Sequence, residues 1–373
     1  MIDKTTGLVG SDPSTDNDLG GFLTRTAPLV HARPGPTLQK RVHFLLPGVN
    51  QLSDLLVTNL ASTRLRLAVA ASALEEVSSV KVTVGESPRT ISPDAVVVGK
   101  IGAYQVDNRA SQWIRYLTES KASGSKIIVD YTDHHLGFGS EMSQFYETCV
   151  GLADLIVVPS KEMRSNLKGT VNCPIKLIHD AVEYECVKPK KFSCFNAIWF
   201  GHATNINFLI DFLRKTELPK VIASLCICTD TKSIDALKGM LDSRSKLTIT
   251  FTPWSVRNLR NALLQSDFAI IPVGRNDKRK SGAGANRLLT SLCHGTPVFT
   301  QELNSYLPYR DYFLDLDQDL PNLNHNLVEQ GKQKALAAQT EVLPFFHPSQ
   351  LKSIWKVVIG DLIGLTPIAD GKT

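Results

Sequence analysis

From Arg41 onward the apolar residues fall into two alternating patterns. Short, continuous runs rich in Val, Ile and Leu occur at Val42–Leu46, Val80–Val84, Ala95–Val98, Lys126–Asp130, Leu155–Val158 and Ile175–Ile178. Such runs predict strands buried on both faces. Between them, Thr63–Val77, Ala110–Ser120 and Glu141–Gly151 place their apolar residues at helical spacing. After a break the alternation resumes. Strands are predicted at Ala197–Phe200, Val221–Cys228, Leu247–Phe251, Phe268–Ile271 and Val298–Thr300. Helices are predicted at Asn207–Thr216, Ile234–Ser243, Val256–Gln265, Asn286–His294, Asn324–Ala338 and Pro348–Ile363. Strands alternating with helices predict an α/β protein of two doubly wound, mostly parallel sheets.

Composition changes sharply in two places. Residues 1–40 are rich in Gly, Pro, Ser, Thr and Asp and have no apolar period, which predicts a flexible tail. The stretch Glu183–Asn196 is charged, contains Pro189, and reads as a linker. The expected organisation is therefore the tail, a first domain over 41–185, a second over 195–347, and a terminal helix over 348–364 that packs back toward the first domain.

The charge balance narrows the partners. A net charge of +5 over 373 residues fits an anionic ligand and leaves peripheral membrane association open. It is too weak, with no basic run interleaved with aromatics, to predict nucleic-acid binding. The seven cysteines form no C-x-x-C pair, and their odd count argues against a disulfide framework. A reducing, cytoplasmic setting is the expectation. No run of about 18 apolar residues is present, and Met1–Gly10 lacks the pattern of a signal peptide.

The chemistry concentrates in Ser266–Val298. A buried strand runs into a polar loop bearing Arg275, Lys278, Arg279 and Lys280, then Ser281-Gly282-Ala283-Gly284, then a helix opened by Asn286 and Arg287. Ligands of open α/β sheets bind at the carboxyl ends of strands. A helix start offers unpaired amides and a positive dipole end. Glycines allow close approach of the backbone. The combination points to a phosphate or diphosphate site, although a G-x-G alone also fits an ordinary solvated loop.

This strand, the basic glycine-bearing loop and the closing His294-Gly295-Thr296-Pro297-Val298 resemble the donor half of GT-B glycosyltransferases related to family 4. The resemblance spans about Arg41–Gly364, with its strongest motifs in Ile127–Ser160 and Ser266–Val298. It implies two Rossmann-like domains facing a cleft, with the nucleotide-sugar diphosphate on Lys280, Ser281, Gly282, Ala283 and Gly284 above Asn286 and Arg287. Arg275 and Lys278 add positive charge. Gly201 and Asn205, after the strand ending at Phe200, match the turn that faces the sugar phosphates, without the Arg and Lys that the family often places there. In Ile127–His135 the resemblance puts Thr132-Asp133 where a His-Asp pair stands at the cleft. Asp133 is then the candidate base, with His134 as a second candidate nearer neutrality. Asp133 also reads as a helix cap, and the histidines as solvated loop residues.

The sequence departs from the family at its paired glutamates. Thr290 occupies the second position and the first falls near Gly282, so one hydroxyl replaces a carboxylate that accepts both ribose hydroxyls. Gly48, after the first strand, and Arg64 are acceptor-binding candidates, and Arg64 and Arg66 also read as surface residues. Trp254 reads as a contact to the donor base or as packing, and Trp113 as core. Adjacent His134 and His135 point apart, which argues against a metal site. No cofactor is implied beyond the nucleotide sugar as co-substrate, with no metal needed to stabilise the leaving group. The implied function is a glycosyltransferase acting on a glycan or other hydroxyl acceptor, as in polysaccharide synthesis. A nucleotide-sugar epimerase and a non-catalytic GT-B-like binding or assembly protein are the alternatives.

Overall fold

A computed structural model describes residues 39–58, 60–86, 92–241, 247–275 and 277–365. The expected tail over 1–40 lies almost wholly outside the described residues. Among those residues, the strands form two six-stranded parallel sheets.

The first sheet has the order β2-β1-β3-β4-β5-β6, with β1 at Lys40–Leu45, β2 at Val80–Gly85, β3 at Ala95–Val98, β4 at Lys126–Asp130, β5 at Leu155–Val158 and β6 at Ile175–Leu177. The chain starts one strand in from the edge, adds β2 outside β1, then crosses back to add β3 to β6 on the other side, as a doubly wound sheet requires. Its central strands are buried on both faces. One face packs against α1 (Ala68–Glu75) and α10 (Pro348–Ile363), through Ala70, Leu74, Leu351, Trp355 and Ile359. The other packs against α2 (Ala103–Ala122), α3 (Glu141–Leu152) and α4 (Lys161–Leu167), through Trp113, Leu117, Phe145, Cys149 and Met163.

The second sheet has the order β12-β11-β10-β7-β8-β9. Its strands are β7 (Asn196–Phe200), β8 (Ser224–Thr229), β9 (Thr248–Pro253), β10 (Phe268–Ile271), β11 (Val298–Thr300) and β12 (Leu314–Asp315). Its helices are α5 (Ile206–Lys215), α6 (Thr231–Leu241), α7 (Val256–Gln265), α8 (Asn286–Cys293) and α9 (His325–Glu341). α5 packs on the face carrying Trp199, Leu225 and Ile227, and α7 and α8 on the face carrying Ile198, Cys228 and Ala269.

Three local differences from the sequence expectation have plain causes. β8 begins at Ser224 rather than Val221, because Pro219 starts a turn closed by the Ile222 amide on the Pro219 carbonyl. The short charged helix α4 carries too little apolar period to be read, and Ser160 caps it by accepting from the Met163 amide at 3.0 Å. The helix expected at Thr63–Val77 opens with a wide π-turn at Thr63–Leu67. Arg64 and Arg66 are buried there, contrary to the surface reading.

Candidate functional site

The Arg66 guanidinium explains the burial of that turn. It holds Asp130, at the end of β4, with Nη2 2.6 Å from Oδ1, and Asp180, after β6, with Nη1 2.9 Å from Oδ1. It also donates to the Ile178 carbonyl and lies over the Trp355 ring. One buried cation therefore fastens two strand ends to the helix layer and is matched by two carboxylates. Arg64 is likewise occupied. It pairs with Glu183 at 2.6 Å, donates to the Thr58 carbonyl and lies 4.4 Å over the Trp254 ring. Arg64, an acceptor-binding candidate in the sequence, therefore has its charge matched by Glu183 and packs on Trp254. The Gly48 amide is also taken, by the Glu86 carboxylate.

Past β4 the chain turns through Asp133, His134 and His135. Asp133 is buried and caps no helix. Its carboxylate pairs with Lys100, which follows β3, and with Lys280, from the loop before α8, at 3.0 Å. Burial would raise its pKa, but the two ammonium groups outweigh that and hold it well below the usual carboxylate range. Lys100 was missed in the sequence, where its one signal is a Gly-Lys step directly after the strand Ala95–Val98. His202, after β7, senses Lys100, Lys280, Asp133 and Asp230, and burial lowers its pKa. His134 is half-buried, with Nδ1 3.2 Å from the Tyr131 hydroxyl and its pKa lowered by burial, so it is neutral at pH 7. His135 stacks on Tyr146 at 4.6 Å, and burial lowers its pKa to about 4.

The basic loop is pressed against the first sheet's residues. Besides Lys280, the Gly282 carbonyl accepts from Ser160 Oγ at 2.6 Å, Ser281 Oγ accepts from Asn166, and the Arg279 carbonyl accepts from the His134 amide. In this arrangement the loop glycines lie against the first sheet's side. A methyl on Gly282 would stand 2.8 Å from the Met163 backbone, and one on Gly284 would overlap the Asp180 carboxylate. Ala283 lies between them and donates its amide to the Lys280 carbonyl. Arg275 pairs with Asp317 on the surface, and Lys278 is exposed. Gly201 sits against the Trp199 ring. Asn205 stands at the start of α5 without capping it through its side chain.

The start of α8 is different. Ala285 is its N-cap and supplies no side-chain acceptor for the first amides. Arg287, in the first turn, has a buried Nη1 with no hydrogen-bond partner among the described residues. Burial lowers its pKa, and the Tyr306 hydroxyl is the group that opposes this. Ser305, next to Tyr306, has a buried hydroxyl without a partner. Gly284, Ala285, Asn286 and Ser305 line a small cavity shared with Ser160, His179 and Asp180 of the first sheet's side. Its volume, about 10 Å³, is that of a single water site, so the two sides are closed on each other. Thr290, one turn further on, is half-buried, and its carbonyl accepts from the His294 ring and amide.

No family model matches the sequence. No curated protein matches it at the sequence level either. Solved structures do resemble it. A sucrose-phosphate synthase from Thermosynechococcus elongatus superposes with a TM-score of 0.55 at 10% identity, covering 88% of this chain and 100% of that one. A glycosyltransferase from Rickettsia africae ESF-5 gives 0.50 at 8% identity, over 88% of this chain and 100% of that one. S. aureus TarM gives 0.43 at 10% identity, and this chain spans only 55% of its length. With two doubly wound six-stranded parallel sheets and this likeness to the first two structures, the chain has the GT-B fold.

Proposed function

We propose that this chain transfers a sugar from a nucleotide-sugar donor to an acceptor hydroxyl, with the donor on residues 195–347 and the acceptor on residues 41–185. The observation that carries this reading is the unmatched cation at the start of α8. Arg287 Nη1 is buried with no hydrogen-bond partner among the described residues, in the first turn of a helix whose N-cap supplies no side-chain acceptor. A buried cation without a counter-ion is costly, and a diphosphate supplies two anionic groups at a helix start suited to them. The activities named for the sucrose-phosphate synthase and the Rickettsia glycosyltransferase of the same fold agree with this reading.

In this reading Lys280 and Lys100 form a reserve of positive charge. Both are held by Asp133 while the cleft is closed, and both can turn to phosphate when it opens. Arg287, Lys280 and the dipole of α8 then stabilise the departing diphosphate without a metal. Asn286 and Thr290 flank the donor, and Gly201 and Asn205 border it from the end of β7. His134, neutral and half-buried, is the proton acceptor nearest to hand. Asp133 serves to place the lysines.

Binding without turnover is the second reading. The resemblance places its second glutamate at Thr290 and its first near Gly282, which packs on Met163. The test is a thermal-shift and turnover screen of the full chain against nucleoside diphosphates and their sugars. Stabilisation lost about 10- to 100-fold in affinity on Arg287→Ala, as expected for a charged hydrogen bond, supports the site. Release of nucleoside diphosphate from a bound donor separates transfer from mere binding. No stabilisation by any nucleotide would overturn both readings.

A further inference from the structure

Cys293, the last residue of α8, and Cys186, on the strap between the sheets, place their sulfurs 3.8 Å apart. We propose that Cys186 and Cys293 form a reversible disulfide that ties the strap to the end of α8. The geometry is held from several sides. The Val187 amide donates to the Cys293 carbonyl at 2.8 Å, and Cys293 Sγ donates to the Tyr184 carbonyl at 3.0 Å. Gln339, on α9, donates to the carbonyls of Val187 and Leu292. Gly295 is in the left-handed region, at φ +65°, and a methyl there would stand 2.7 Å from the Val187 carbonyl oxygen. The backbones carrying both sulfurs are therefore fixed next to each other, with the sulfurs 3.8 Å apart, against about 2 Å in a disulfide.

Access is one-sided, as exchange requires. Cys186 is exposed and Cys293 is buried behind it. The co-reactant is a low-molecular-weight disulfide such as oxidised glutathione. The Cys186 thiolate attacks one of its sulfurs and expels one glutathione thiolate, leaving a mixed disulfide. Cys293, after losing its proton to that thiolate, attacks Cys186 Sγ and expels the second glutathione. Two protein thiols become one disulfide, and the two electrons leave on two glutathione thiols. Burial raises the pKa of both cysteines, which lowers their thiolate fraction and slows the exchange.

The bond would join residues 107 positions apart and tie the strap to the helix whose first turn carries Arg287. Constraint of so long a loop raises Tm. The test incubates the full chain with oxidised glutathione, then maps peptides without reduction and measures Tm. The expected result is a cross-linked pair of peptides containing Cys186 and Cys293, lighter by two hydrogen atoms, with Tm raised by several degrees and restored by dithiothreitol. Cys186→Ser, at an exposed position, should abolish both changes, while the exposed Cys194 still takes up glutathione. A stable glutathione adduct on Cys186 with Cys293 left free, or a bond from Cys186 to another cysteine, would overturn the proposal.

Discussion

Lys280, in the loop before α8, reaches across to Asp133, at the end of the first sheet, with Nζ 3.0 Å from Oδ1. The contact joins residues 147 positions apart, and Lys100 grips the other oxygen of the same carboxylate. Removing the carboxylate leaves two ammonium groups facing each other. Asp133→Ala should therefore destabilise the protein by about 1–3 kcal/mol, whereas Lys280→Ala, which leaves the Lys100 pair intact, should cost less. Urea denaturation of the two variants and the double variant measures the coupling. Additive effects would mean that the lysines and Asp133 act separately.

The glycines of the loop are demanded by the first sheet's side. Gly284→Ala puts a methyl on a carboxylate that Arg66 holds in place, and Gly282→Ala meets backbone. Neither neighbour is the free end of a flexible side chain. Each substitution should cost about 1–3 kcal/mol through overpacking. Each should also speed proteolytic cutting between residues 275 and 285, which gel electrophoresis would follow. Wild-type cutting rates would show that the loop does not rest on these contacts.

Arg66 is the largest single electrostatic commitment. Arg66→Ala would leave Asp130 and Asp180 buried without their cation and should destabilise by about 3–5 kcal/mol. Arg66→Met with Asp130→Asn and Asp180→Asn removes the charges together and should recover part of that loss. Chemical denaturation at pH 7 compares them, and equal losses for the single and triple variants would contradict the account.

Two histidines give the protein a pH dependence. Burial lowers His43 and His135 to about 4 in the folded chain, against about 6.5 when unfolded. Between these values the unfolded chain binds more protons, so stability rises with pH across the window and is lost as pH falls through it. The loss should reach about 3 kcal/mol for each histidine by pH 4. Below that, protonation of Asp133 acts in the same direction, because its folded pKa is also depressed. Urea midpoints measured from about pH 7 down to about pH 4.5 should fall, and His43→Asn should flatten the slope. A midpoint independent of pH across this range would exclude buried neutral histidines.

Much of the fold was legible because period and punctuation are local properties of a chain. The runs Ala95–Val98, Lys126–Asp130, Leu155–Val158, Phe268–Ile271 and Val298–Thr300 are strands over the same residues that the apolar pattern marks, and Val256–Gln265 and Pro348–Ile363 are helices over theirs. Their alternation alone determines a parallel, doubly wound architecture, since only covered sheets accommodate strands apolar on both faces. The cationic loop before Asn286 was equally plain.

What that loop meets was settled only in three dimensions. Lys280 reads in sequence as a free phosphate ligand, and it is paired with Asp133; Arg64 and Arg66 read as surface cations, and both are buried in ion pairs. Arg287, one of five cations within thirteen residues, is the one whose buried Nη1 lacks a partner among the described residues. Cys186 and Cys293, 107 positions apart, touch. Secondary structure follows from each residue's near neighbours along the chain. Charge compensation depends on which distant groups share a desolvated space, and only the tertiary structure assigns those partners.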